Sequence, residues 1–123
     1  MHGLKGERVL MRVHIGERDK HKGKPLYAAI VELLRARGYA GATVYRGIMG
    51  FGASSTVHSD RIEVLSLDLP VVVECIETAE KIDAILPELD VMIGGGLITL
   101  ERANVIVYRP HTSADADASP GER

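Results

Sequence analysis

A chain of 123 residues with a formal net charge of −2 is the size of one domain with one core, and it lacks the cationic excess that sequence-independent binding to nucleic acid requires. Hydrophobic residues at 46% and charged residues at 26% suit an ordinary globular chain, and no apolar run approaches the roughly 20 residues of a membrane-spanning helix. With no Trp, one Phe and four Tyr, the core has to be filled by Val, Ile, Leu and Ala, which suits a thin sheet covered by helices.

Met1 to Gly6 reads as a loose lead-in, with no signal peptide, so the cytoplasm is the expected compartment. Glu7 to Ile15 alternates: Val9, Met11, Val13 and Ile15 share one face, Leu10, Arg12 and His14 the other, which predicts a strand covered on one side. Gly16 to Gly23 is a charged loop, read as a solvated connection. Pro25 to Arg37 then carries Leu26, Ile30, Leu33 and Leu34 at helical spacing, widened by Tyr27 and Val31, and Gly38 supplies the stop. Ala42 to Ile48 is a second strand by its β-branched and aromatic content.

The stretch from Arg46 to Ser55 follows, with three glycines and the only phenylalanine. Glycine tolerates positive φ and leaves amides approachable, so Gly50-Phe51-Gly52 predicts a shaped loop that offers main chain and one ring to a ligand or partner; a flexible turn is the plainer alternative. Val71 to Ile76 is apolar enough for a central strand, with regular pairing starting just after Pro70. Its Cys75, the only cysteine, reads as a buried small hydrophobe. Thr78 is a candidate N-cap for a second helix bearing Ile82, Ile85, Leu86, Leu89 and Met92, in which Pro87 predicts a kink or a restart. Gly94-Gly95-Gly96 ends that helix. Leu97 to Leu100 with Val105 to Tyr108 forms the last extended segment, and His111 to Arg123 is expected to be a disordered tail, so the domain is placed at residues 1–110.

Strand, helix, strand, strand, helix, strand is the α+β, ferredoxin-like βαββαβ order: four antiparallel strands backed by two helices. The hairpin made by the second and third strands then has a loop of about a dozen residues where two to five is usual, and excess loop on a compact domain tends to be functional.

Chemistry-bearing residues are sparse. Ser54, Ser55 and His58 lie close together, the minimum for nucleophilic catalysis, but no orienting carboxylate stands at a recognisable spacing although Asp60 is near; the chain reads as a non-enzyme. His14, His21, His58 and Asp60 are scattered, and one cysteine does not make a zinc site. Three successive glycines at 94–96 exceed what a helix stop needs, which points to close approach by another subunit's strand or by a ligand's phosphate.

Three segments carry a family likeness: Arg46 to Ser55, Leu67 to Glu74, and Leu86-Pro87-Glu88-Leu89 with Ile93 to Glu101. They resemble the domain-of-unknown-function family 190, over about residues 4 to 109. That family in turn resembles the PII signal-transduction superfamily, trimers of ferredoxin-like subunits in which a Gly-Phe-Gly opens the long loop and a glycine-rich turn precedes the fourth strand. The resemblance implies a PII-like regulatory homotrimer. A small anionic ligand of unknown identity, a nucleotide for example, would bind at intersubunit clefts against Gly50, Phe51, Gly52, Ser54, Ser55, Gly94, Gly95 and Gly96, with Arg46, Lys5 and His58 as charge partners. Loop 49–61 would signal to a protein partner. The alternative is a ligand-free trimeric module that docks a partner such as a membrane transporter. Where PII proteins carry Arg-Gln after Gly-Phe-Gly this chain has Ala53 and Ser54, and Gly95 and Leu97 replace their Asp and Lys, so the likeness extends to architecture and not to that ligand chemistry. Edge strands point the same way, because pairing the second and fourth strands around a threefold axis removes two exposed edges.

Overall fold

The computed structural model describes residues 4–52 and 68–111. Four long strands, β1 (Gly6–Gly16), β4 (Thr43–Arg46), β5 (Pro70–Glu77) and β6 (Leu97–Val105), form one antiparallel sheet in the order β4-β5-β1-β6. Helices α1 (Leu26–Ala36) and α2 (Ala79–Met92) cover one face. The element order and the sheet order are those of a ferredoxin-like fold, with β4 and β6 as the edges.

The alternation read in the sequence sets which face is buried. Met11, Val13 and Ile15 of β1 and Val71, Val73 and Cys75 of β5 point to the helices, where Leu26, Ile30, Leu34, Ile82, Ile85 and Leu89 close the core. Each such side chain contributes about 1.5–3 kcal/mol by leaving water. Cys75 is 4% exposed and its thiol is pushed up to about 12, first by burial and then by Glu77 and Glu74, so it behaves as the expected apolar filler. Among the described residues no helix covers the opposite face. A polar chain crosses it instead: Tyr45 of β4 donates to Glu74 of β5 at 3.3 Å, and Arg12 of β1 donates to Glu74 at 2.9 Å and to Glu101 of β6 at 3.1 Å. The bond to Glu74 holds the Arg12 guanidinium above its ordinary pKa.

Helix ends follow their local chemistry. Gly38, at φ +78, closes α1: its N–H reaches Arg35 O at 3.0 Å and the Tyr39 N–H reaches Leu34 O at 3.0 Å, the paired bonds of a Schellman turn. Thr78 caps α2 by accepting the Lys81 N–H on its hydroxyl at 3.3 Å. Glu77, 4% exposed, accepts from the Ala40 N–H at 2.9 Å and the Thr78 N–H at 3.1 Å, which fastens the link between α1 and β4 to the sheet.

Four sequence expectations need correction. Residues 16–23 are not all loop: β2 (Lys20–His21) and β3 (Lys24–Pro25) form a small hairpin, because Lys22 (φ +51) and Gly23 (φ +82) both take the left-handed conformation that a tight two-residue turn demands. Of the kink or restart expected at Pro87, the restart does not occur: α2 runs unbroken from Ala79 to Met92 with Pro87 inside it. Pairing in β5 includes Pro70, whose carbonyl accepts from Gly47 at 2.7 Å and whose missing N–H is not needed there. Finally, β6 is continuous through Glu101 to Asn104 and stops at Val105, since pairing with β1 decides its length: Val105 lies opposite Gly6, where β1 begins. The tail from Thr112 onward lies outside the described residues.

Candidate functional site

The glycine segments lie at one end of the sheet. Arg46 of β4 is opposite Val71, Val71 is opposite Ile15, and Gly96 comes against His14 and Ile15. This row places the 47–52 segment beyond β4 and the 94–96 turn before β6. They share an end but occupy opposite edges, three strand spacings or about 14 Å apart.

On the β4 side Gly47 continues the ladder through its bond to Pro70 O, and the Pro70 ring lies close under both Gly47 and Gly50. A Cβ at either position would stand 3.1 Å from Pro70 Cγ. Gly50 also has φ +146, a conformation that side chains resist. Beyond this point the chain turns its apolar side chains outward: Ile48 is 94% exposed, Met49 61% and Phe51 70%, and Gly52 is exposed too. The expected presentation of one ring is therefore accompanied by two further apolar groups. Ser54, Ser55 and His58 lie outside the described residues, as does most of loop 49–61.

On the β6 side the glycines differ from one another. Gly96 has φ +140, and a Cβ there would collide with the backbone oxygen of His14. The close approach inferred from the triplet is, at this position, that of the chain's own β1. Gly94 meets nothing within 4 Å and is exposed. A hollow of about 270 Å³ opens beside the turn, lined by Asp90, Ile93, Gly94, Gly95, Gly96, Leu97 and Ile98.

Charge at this end differs from expectation. The Arg46 guanidinium is held by the Glu17 carboxylate at 3.0 Å. Lys5 precedes the first residue of β1, at the far end of the sheet and about 30 Å along the strand from Ile15, so within one chain it does not reach the glycine turns. Asp19 accepts from the Gly16 N–H at 3.0 Å, Asp68 accepts from the Arg18 N–H at 3.1 Å, and the Glu17 N–H donates to Leu69 O at 2.8 Å, which together stitch the ends of β1 and β5. Asp90 faces the hollow at the turn. Sequence reasoning did not single out Glu17, Asp19, Asp68 or Asp90. Asp68, in the run before Pro70, and Asp90, one helical turn before the glycines, were the available signals. Among the described residues no group of three His, Cys, Asp or Glu side chains could hold a metal ion, and no helix is long and apolar enough to cross a membrane.

A small antiparallel α+β domain with its glycine-bearing turns at one end of the sheet is the class that fold and site define. The family model of DUF190, described as an uncharacterized ACR, matches residues 8–105, and the chain belongs to that family. A UPF0166 protein of Methanocaldococcus jannaschii is 37% identical over 97 residues, covering 78% of this chain and 89% of the relative. Two UPF0166 proteins of Aquifex aeolicus are similar as well. One is 39% identical over 100 residues, covering 81% of this chain and 94% of its own. The other is 37% identical over 97 residues, with coverages of 79% and 95%.

Proposed function

We propose that this protein is a PII-like regulatory homotrimer that takes a small anionic ligand, a nucleotide being the first class to try, into clefts between subunits and signals through loop 49–61. The observation that carries the reading is the separation of the glycine segments. Lying about 14 Å apart on opposite edges of the same sheet end, Gly50 to Gly52 and Gly94 to Gly96 do not enclose one small molecule within a chain. Pairing the β4 edge of one subunit with the β6 edge of the next would bring them together three times around a closed ring. Backbone amides of both turns would donate to the ligand, and Arg46 would exchange Glu17 for it. Since Asp90 borders the hollow at the 94–96 turn, the ligand's charged group would sit against Arg46, and the 94–96 amides would donate to its uncharged acceptors. Ligand binding signals only by favouring one state of the loop.

Light scattering should give the trimer mass, and thermal shift against nucleotides and organic anions should raise the melting temperature by mass action. Arg46→Ala should abolish the shift while leaving the trimer intact. A monomer at micromolar concentration would remove the cleft and with it this reading.

The exposure of Ile48, Met49 and Phe51 favours a second reading, a ligand-free trimeric module whose loop docks a protein partner such as a membrane transporter. A trimer that no compound in a broad panel stabilises would favour it over the first.

A further inference from the structure

On the helical side of the molecule, away from the glycine turns, the β2–β3 hairpin and the two helices border a groove of about 630 Å³. Its floor is apolar, with Ala29 and Leu33 from α1 and Val91 and Met92 from α2. Val91 is 83% exposed, the most exposed large apolar side chain on either helix. The stretches that line it, Ala29 to Leu33 and Glu88 to Met92, each rise about 6 Å, so the floor is roughly one helical turn long.

The charges on its rim are unequally matched. Glu32 is neutralised by Lys24 at 2.8 Å and Glu88 by Arg37 at 3.0 Å. Lys22, which lines the groove from the hairpin and is exposed, has no ion-pair partner among the described residues. Lys22 is moreover the only non-glycine residue with positive φ among those described, at a turn position where Asn, Asp or Gly are the usual choices. The tip of the hairpin is thus cationic at a position whose backbone does not favour lysine, beside an uncovered apolar floor.

We propose that this groove docks an acidic amphipathic helix of a partner protein, with one or two of its apolar side chains between Leu33 and Val91 and a carboxylate against Lys22. Two features select this occupant. With both rim carboxylates already paired, the charge left over is positive, so the complement is acidic. Because Val91 stands almost fully in solvent, the groove is open along its side; a helix laid across it would cover that side chain where a small molecule would leave it wet.

Selection of displayed, randomised helical peptides of about 15 residues, roughly four turns, against the full chain tests the proposal. The expected outcome is a consensus of apolar residues at helical spacing flanked by Glu or Asp, with binding that weakens as salt is added. Val91→Asp, and separately Lys22→Glu, should each weaken the selected peptides about tenfold or more. Glu80→Lys, at the opposite end of α2, should leave binding unchanged. Thermal melts of the variants, all at exposed positions, establish that they remain folded. A consensus without acidic residues, binders indifferent to the groove variants, or no binders at all would each overturn the proposal.

Discussion

The two glycine-bearing turns are made of the same residue type at the same end of one sheet, yet they answer to different demands. Gly96 is required by the chain itself: its φ of +140 and its collision course with His14 O leave no room for a side chain. Gly50 is constrained more softly, by its φ of +146 and by the edge of the Pro70 ring. Gly94 is constrained by nothing within 4 Å. Counting glycines therefore overstates the evidence for a ligand at the 94–96 turn, where Gly96 is a packing requirement. At the 47–52 turn the stronger sign of function is the exposed apolar trio of Ile48, Met49 and Phe51, which stabilises nothing in the described fold.

The largest expected effect of a single change follows from that contrast. Gly96→Ala should cost about 3 kcal/mol, because backbone on both sides has to move, and a urea midpoint that stays put would show that the turn yields more easily than its contact with β1 suggests. Gly50→Ala should cost about 1–2 kcal/mol by the same measurement, less because the Pro70 ring has room to shift. Gly94→Ala should fall within about 0.5 kcal/mol of the parent. If it destabilises strongly, the open side of that turn is occupied in the assembled protein.

Phe51→Ala separates stability from function. The ring is 70% exposed, so the monomer fold should lose no more than about 0.5 kcal/mol, while any ligand-induced thermal shift or partner binding through the loop should fall by about tenfold. A large drop in melting temperature without a change in binding would instead make Phe51 a packing residue between subunits.

The smallest effect serves as a baseline remote from both turns. The Arg37 side chain donates to Glu88 and holds that carboxylate below its ordinary range. A carboxylate whose folded value is lowered stabilises the fold fully above its unfolded value and loses that contribution as pH falls through the lowered one. The stability difference between the parent and Glu88→Gln should accordingly be present at neutral pH and vanish in acid, in unfolding curves recorded from pH 7 downward.

Much of this molecule was legible in the chain. Period-two alternation in β1 named the buried face because a strand's side chains point to opposite sides, and Leu26, Ile30 and Leu34 named the core stripe of α1 for the corresponding helical reason. Gly38 and Thr78 marked helix ends because each satisfies orphan backbone groups through local bonds. Less legible were the elements that another segment decides. The β2–β3 hairpin depends on Lys22 accepting a left-handed backbone that lysine does not advertise. The length of β6 is dictated by β1, its partner across the sheet, since the residues at 101–104 are polar enough to read as a break. Nor did the charges at the candidate site follow from proximity in sequence: Arg46 meets Glu17, 29 positions earlier, and Lys5 stands at the far end of the sheet.

By itself, the sequence determined the two helices, the four main strands and their order, the buried face of the sheet and membership in a family. These follow from local periodicity, capping chemistry and motif likeness, all of which act between neighbours in the chain. Only the tertiary structure decided that the two glycine turns share an end but not an edge, that Gly96 serves the chain's own β1, and that Arg46 is already paired. Such facts arise from contacts between residues far apart in sequence, which strand register and packing bring together and which no local pattern encodes.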